Sequence, residues 1–123
     1  MEYLLDSFAW LEYFGGNSKY AQYVEGGRGA LPFTAVTSLA EVVRSLLRKK
    51  VEKSEVLRLA QFIESKSVVL QLGVKDAIQA GFIAEEHGLH FSDALIYSLA
   101  GKNRVVVTGD PHFKSLANVE FIE

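Results

Sequence analysis

The chain contains 123 residues, 49% of them hydrophobic and 23% charged, a balance that excludes a disordered tail and fits one globular domain over residues 1–123. Its net charge of −2 excludes the overall positive field of a strong non-specific nucleic-acid binder. The absence of cysteine excludes disulfides, thiol nucleophiles and cysteine zinc sites, and it favours a cytoplasmic protein. Acidic residues interrupt the apolar opening, so the sequence predicts neither a signal peptide nor a membrane span.

Strands and helices alternate along the chain, and several boundaries carry glycine, proline or serine. The predicted strands lie at 3–5, 30–36, 67–72, 105–107 and 119–122, and the predicted helices lie at 8–14, 18–25, from Ser38, 53–65, 75–87 and 93–100. Pro32 favours an early or edge position in its strand, Gly88 is favoured just past a helix end, and Ser92 offers a side-chain cap for the next helix. Because helices separate most strands, we expect an α/β fold in three layers, with a mostly parallel sheet and helices on both faces.

Three aspartates lie where such a sheet predicts chemistry. Asp6 directly follows the first strand, Asp110 follows the strand at 105–107, and Asp93 begins a helix. Ligands of open parallel sheets bind beyond the carboxyl ends of the strands, so we expect Asp6 and Asp110 at the same edge. Taken singly, each aspartate is also typical of a helix cap, and Pro111 after Asp110 strengthens that interpretation.

A group of carboxylates favours a metal site over simple capping. Carboxylates held together repel and raise each other's pKa unless a cation neutralises them. Their hard oxygen atoms select Mg²⁺ or Mn²⁺.

Four segments of the chain resemble, in order, the motifs of the PIN-domain nucleases, especially the short VapC-like ribonuclease toxins of prokaryotic toxin–antitoxin pairs. LLDSFAWLEYF carries Asp6, SLAEVVRSL carries Glu41, FSDALIYSLA carries Asp93, and VVVTGDPHF carries Thr108 and Asp110. The motifs are short, but four in the right order cover essentially the whole chain and form a fairly specific match.

This resemblance implies a ribonuclease that depends on Mg²⁺ or Mn²⁺. Asp6, Glu41, Asp93 and Asp110 would be its catalytic, metal-binding acids, with Thr108 as a polar support. Hydrolysis at such a site uses a metal-activated water and no protein nucleophile, and it leaves 5′-phosphate and 3′-hydroxyl ends. A homodimer and a cognate antitoxin are the implied partners, and the aromatic N-terminal helix and the helices between 39 and 65 offer apolar surface for these contacts.

Glu41 belongs to this set through the resemblance alone. At about 100° per residue it shares a helix face with Arg44 and Arg48, opposite the apolar stripe, where periodicity predicts a solvated acid with Arg44 as partner. Arg44, Arg48 and Lys49 form part of a basic cluster that fits RNA binding. The alternative is that the cluster complements the helix dipole and keeps the surface soluble.

Other functions compete with the nuclease. A receiver-type phosphoacceptor domain needs an aspartate after its middle strand, but the run at 68–73 ends without an acid. A phosphatase with an Asp-x-Asp nucleophile needs a carboxylate where Phe8 stands. An inactive PIN-like module that binds RNA or protein is disfavoured because four acids are retained. His87 and His90 lack further ligands with zinc spacing and predict surface side chains.

Overall fold

The computed structural model describes residues 1–27, 29 and 31–123, and these residues form a five-stranded sheet. The strands are β1 (Glu2–Leu5), β2 (Pro32–Ala35), β3 (Val68–Leu70), β4 (Arg104–Thr108) and β5 (Val119–Phe121). They lie in the order β3-β2-β1-β4-β5, and every neighbouring pair is parallel. The predicted α/β fold with a mostly parallel sheet is confirmed.

Helices connect and cover these strands. They are α1 (Ser7–Phe14), α2 (Ala21–Val24), α3 (Val36–Arg48), α4 (Lys53–Lys66), α5 (Val74–His87) and α6 (Phe91–Tyr97), with 3₁₀ turns at Ser18–Tyr20 and Pro111–Phe113. Gly88 adopts the left-handed conformation after α5 and donates its N–H to the carbonyl of Ala84, as its position after a helix predicts.

The two central strands supply a hydrophobic core on each face of the sheet, because successive strand side chains point to opposite faces. Leu5 and Val107 pack in a core with residues of α1 to α4. Leu4 and Val106 pack in a second core with Ile96 of α6 and with Phe113. Helices therefore cover both faces, and the sheet forms the middle of three layers.

Some predicted boundaries differ from the structure. The strand predicted at 30–36 spans only Pro32–Ala35, residue 30 lies outside the described residues, and α3 begins at Val36 rather than at Ser38. Pro32 is the first residue of β2, so the predicted early or edge position is confirmed as an early one; β2 itself is an interior strand between β3 and β1.

Ser92 does not cap α6. This helix begins at Phe91, with His90 as the N-cap residue and no side-chain hydrogen bond at the cap. Ser92 therefore lies inside the first turn, and the predicted cap is wrong.

None of the helices formed by the described residues combines the length and apolar character that a membrane crossing requires.

Candidate active site

Asp6 lies at the carboxyl end of β1, beside the end of the neighbouring strand β4. Leu5 pairs with Val107, so Asp6 and Thr108 emerge together at one edge of the sheet. The Thr108 hydroxyl donates to Oδ2 of Asp6 at 2.6 Å, and the backbone N–H of Ala9 donates to Oδ1 at 2.9 Å. Asp6 thus caps α1 and is also tied to β4.

The carboxyl group of Asp6 is almost fully buried, with only 3% of the residue exposed. Burial raises the pKa of Asp6 from 3.8 to about 7, while the hydrogen bonds from Thr108 and Ala9 act in the opposite direction. The charges of Asp110 and Asp93 raise this pKa further. The three aspartates therefore interact electrostatically at the same sheet edge.

Thr108 also positions Asp110. The backbone N–H of Asp110 donates to the Thr108 hydroxyl oxygen at 2.9 Å, so a single side chain bridges Asp6 and Asp110. Asp110 accepts a hydrogen bond from the backbone N–H of His112 at 3.0 Å and caps the 3₁₀ turn Pro111–Phe113. The capping interpretation is therefore confirmed for Asp6 and for Asp110.

Gly109, between Thr108 and Asp110, allows the backbone to approach Tyr20, Phe8 and Ile122 closely, a feature that sequence reasoning missed. A Cβ at this position would lie 2.5 Å from the Tyr20 hydroxyl, 2.7 Å from the Phe8 ring and 2.9 Å from the carbonyl oxygen of Ile122. These distances are shorter than van der Waals contacts, so only glycine fits without displacing the chain that carries Asp110.

Asp93 does not cap a helix. It is the third residue of α6, because the helix begins at Phe91, and its half-buried carboxylate belongs to the acidic edge instead. The pKa of Asp93 is raised, first by burial and then by the charge of Asp110, while His112 and His90 lower it. The capping interpretation is wrong for Asp93.

Glu41 is half-buried rather than solvated. Its Oε1 is buried and, among the described residues, has no hydrogen-bond partner. Burial raises the pKa of Glu41, the charges of Asp93 and Asp110 raise it further, and the hydroxyls of Ser92 and Ser7 oppose the change. The prediction of a solvated acid is wrong, because α1 and α6 pack against α3 beside Glu41 and bring the hydroxyls of Ser7 and Ser92 next to its carboxyl group. Arg44 and Arg48, on the same face of the helix, stay exposed.

His112 is a residue of this edge that sequence reasoning missed. Its Nδ1 lies 3.1 Å from Oδ1 of Asp110 and 3.8 Å from Oδ2 of Asp93. One signal was available in the sequence: an N-cap aspartate accepts a hydrogen bond from the backbone N–H two or three residues later, which keeps residue 112 close to the Asp110 carboxylate. The exposed His87 and His90 instead pack their rings against Tyr97 and His112.

The residues at this edge fit a divalent cation. One ligand atom each from Asp93, Asp110 and His112 lies within 4.8 Å of the other two. Glu41 adds a buried oxygen that has no partner among the described residues, and burial, followed by mutual repulsion, raises the pKa of Asp6, Glu41 and Asp93. Positive charge placed here would relieve both the repulsion and the unsatisfied oxygen. We call Asp6, Glu41, Asp93 and Asp110 the acidic site.

The predicted RNA-binding residues lie on the same helix as Glu41. Arg44 and Arg48 are exposed on α3, and Lys49 is the exposed residue that ends it. A basic end of a helix also complements the helix dipole, so position alone leaves both interpretations of this cluster open.

These features define an α/β domain with a cluster of carboxylates at the ends of β1 and β4. A family model for the PIN domain matches residues 3–119, and the chain belongs to the PIN domain family. A comparison with curated proteins finds no match.

Solved structures of toxin–antitoxin proteins share this fold. The chain superimposes on a toxin–antitoxin complex from Klebsiella pneumoniae with a TM-score of 0.74 and 18% identity, over 95% of this chain and 94% of that chain. VapBC2 from Rickettsia felis, bound to a DNA fragment from its promoter, superimposes with a TM-score of 0.74 and 20% identity, over 99% of this chain and 98% of that chain. DNA-bound VapBC from Salmonella typhimurium superimposes with a TM-score of 0.74 and 17% identity, over 99% of this chain and 97% of that chain. At these identities the likeness establishes the fold alone, and the family model confirms the resemblance to the PIN domain family.

The same topology excludes the receiver-type alternative. A receiver-type, flavodoxin-like sheet has the strand order 2-1-3-4-5, whereas this sheet has the order β3-β2-β1-β4-β5. In this sheet β1 is central, and β2 and β3 follow it toward one edge. Two consecutive helices, α3 and α4, connect β2 to β3.

Proposed function

We propose that the protein is a ribonuclease dependent on Mg²⁺ or Mn²⁺ and that it acts as the toxin of a toxin–antitoxin pair in the cytoplasm. The observation that carries this proposal is the geometry at one sheet edge of a PIN domain: Thr108 bridges Asp6 and Asp110, and a ligand atom of Asp93 lies within 4.8 Å of one of Asp110. The buried Oε1 of Glu41 has no hydrogen-bond partner among the described residues. An inactive binding module has no need of carboxylates whose mutual repulsion costs folding free energy.

Each acid has a distinct role in this proposal. Asp93 and Asp110, beside solvent, would hold the ion, and Glu41 would supply its unpartnered oxygen. Asp6 would complete the site from inside, with Thr108 fixing its carboxylate through the bond at 2.6 Å. A bound divalent ion would supply water of lowered pKa and positive charge to stabilise the phosphate. Arg44, Arg48 and Lys49 would bind phosphates of the RNA outside the acidic site.

The direct test is cleavage of RNA by purified protein. We expect cleavage with Mg²⁺ or Mn²⁺, none with EDTA, and a loss of several orders of magnitude in Asp6→Asn and in Asp93→Asn. Glu64→Gln, which removes an exposed acid of α4, is the matched control and should cleave like the wild type. Metal-independent cleavage that survives in both aspartate variants would contradict the proposal.

An antitoxin is the partner that we propose for the acidic site. Several of the similar structures are toxin–antitoxin or VapBC complexes. An Arg or Lys from such a partner would take the place of the cation among the carboxylates. Co-expression with the protein of the adjacent reading frame should yield a stable complex without nuclease activity. Failure to recover one would favour a processing nuclease that acts alone.

The homodimer that we propose uses α5 rather than the aromatic N-terminal helix. Trp10 is fully buried, and its ring packs against Tyr13, Phe14 and Phe62, so that helix mainly serves the core. By contrast, α5 and the start of α6 present an apolar face whose side chains are largely exposed: Val74 79%, Ile78 60%, Phe82 68% and Phe91 73%.

The sequence of α5 suits self-pairing about a two-fold axis. Val74, Ile78 and Phe82 recur every four residues along one side, and a two-fold pairing centred near residue 80 would set Lys75 against Glu85 of the second copy. Phe82→Glu should therefore give a monomer in light scattering, whereas Leu57→Glu on α4, whose side chain is also largely exposed, should leave the dimer intact. A wild-type monomer at micromolar concentration would contradict the dimer.

A further inference from the structure

The turn after β4 holds the His112 imidazole against the acidic site. Asp110 caps the turn, Pro111 occupies its first position, and Phe113 is buried in the core below. The His90 ring packs edge-on against the His112 ring at 5.9 Å between centroids. His112 is therefore placed by the backbone and the core, although its own side chain is 61% exposed.

The position of Nδ1 matches that of a ligand atom. Two ligands at about 2.1 Å from an ion lie roughly 3.0 Å apart at octahedral angles and roughly 3.4 Å apart at tetrahedral angles. Nδ1 lies 3.1 Å from Oδ1 of Asp110 and 3.8 Å from Oδ2 of Asp93. The longer distance exceeds that of a hydrogen bond, yet a small side-chain adjustment would bring both oxygens and the nitrogen around one ion.

We propose that His112 is a direct nitrogen ligand of the divalent ion and makes this site prefer Mn²⁺ to Mg²⁺. This inference rests on the metal site of the proposed function. Mg²⁺ takes oxygen ligands almost exclusively, whereas Mn²⁺ shares its preference for carboxylates but, as a first-row transition ion, also binds an imidazole nitrogen, more weakly than the later metals of the row. A set of two aspartates and one histidine, with Glu41 nearby, therefore gains affinity for Mn²⁺ that an all-carboxylate set lacks.

A competing role for His112 predicts the opposite result. If the imidazolium only neutralised Asp93 and Asp110 as an internal cation, it would compete with any metal. Its removal would then strengthen the binding of Mg²⁺ and Mn²⁺ together. A nitrogen ligand instead contributes to Mn²⁺ alone, so the ratio of the two affinities separates the roles.

The test measures metal binding without RNA. Calorimetric titration of the full chain with Mn²⁺ and with Mg²⁺ should show that His112→Ala weakens Mn²⁺ binding at least about tenfold and changes Mg²⁺ binding by less than about twofold. Spin-echo spectroscopy of bound Mn²⁺ should show coupling to a directly bound ¹⁴N nucleus in the wild type and in His90→Ala, but not in His112→Ala. Thermal melting in EDTA checks that all three proteins fold.

The outcomes distinguish this inference from the proposed function. Bound Mn²⁺ without ¹⁴N coupling, or equal effects of His112→Ala on both metals, would overturn the role of His112 while leaving a metal-dependent nuclease intact. Nitrogen coupling together with an absence of RNA cleavage would support His112 as a ligand and contradict the nuclease.

Discussion

The two halves of the acidic site are built differently. Asp6 is buried, and both of its oxygens already accept hydrogen bonds, from Ala9 and from Thr108. Asp93 and Asp110 are half-buried and face the exposed imidazole of His112. The inner half is therefore fixed by β1, β4 and α1, whereas the outer half borders the solvent from which an ion and a substrate would arrive.

This difference shows how one residue type takes two roles through its environment. Burial raises the pKa of Asp6 to about 7, so in the absence of metal Asp6 retains its proton into the neutral range. A neutral Asp6 leaves the outer acids with less repulsion in the empty site. Binding of a cation would lower the pKa of Asp6, so that its carboxyl group would release the proton to solvent. Metal binding in the outer half would therefore be coupled to ionisation in the inner half.

The largest expected effect is on the pH dependence of stability, and it isolates the inner half. Because the folded pKa of Asp6 lies above its ordinary value of 3.8, the folded state binds the proton more tightly between about pH 4 and pH 7. Stability without metal should therefore fall as pH rises through this window, by on the order of 4 kcal/mol at most.

Denaturant unfolding in EDTA at about pH 4 and about pH 8 measures this change, because these two values bracket the window. Asp6→Asn cannot ionise and should flatten the dependence, leaving the smaller contributions of Glu41 and Asp93, whose raised pKa values act in the same direction. Equal pH dependence in the wild type and the variant would show that Asp6 ionises as freely in the folded state as in the unfolded chain.

The next largest effect concerns Gly109, which lies between Thr108, the partner of Asp6 in the inner half, and Asp110 of the outer half. Gly109→Ala should cost about 1–3 kcal/mol, because the added Cβ meets the Tyr20 hydroxyl, the Phe8 ring and the backbone of Ile122. It should also weaken metal binding, since Asp110 must shift. Gly101→Ala, where a Cβ meets nothing within 4 Å, is the control and should melt like the wild type. Similar melting of both variants would contradict the close approach at Gly109.

A smaller effect tests repulsion in the outer half. Asp93→Asn should leave the melting temperature without metal unchanged or raise it by about 4 °C, equivalent to about 1 kcal/mol, because it removes a charge beside Asp110. Mg²⁺ should stabilise the wild type by mass action and stabilise the variant less. A much lower melting temperature of the variant, with an unchanged response to Mg²⁺, would assign Asp93 a structural role.

The smallest effect concerns α3, which carries Glu41 of the acidic site near its middle and Arg48 and Lys49 at its C-terminal end. If these cations bind phosphates, replacing both with Gln should reduce the slope of log K against log salt for single-stranded RNA by roughly 1 to 1.5. Lys102→Gln, exposed in a turn, is the control. An unchanged slope in the double variant would assign the basic cluster to solubility and helix-end electrostatics.

The sequence predicted those features that depend on local rules and on strand direction. Glycine follows the end of α5 because the left-handed backbone conformation that Gly88 adopts there favours glycine. Asp6 and Asp110 share an edge because the carboxyl ends of parallel strands share one, which requires only that β1 and β4 be neighbours.

Features that depend on packing between helices escaped prediction. Periodicity separates the core face of α3 from its other face, but it does not report that α1 and α6 pack against α3 beside Glu41. The role of Asp93 depended on where α6 begins, and a difference of two residues turns a cap into a side chain of the acidic site. His112 escaped notice because its position depends on a short turn anchored by Phe113.

The ends of the RNA products test the central claim most directly, that carboxylates and a cation at this sheet edge hydrolyse RNA with water. We predict that purified protein with Mn²⁺ leaves 5′-phosphate and 3′-hydroxyl ends and that EDTA abolishes their formation. Products with 2′,3′-cyclic phosphate ends, formed equally well in EDTA, would mean that the ribose hydroxyl is the nucleophile and would contradict the account.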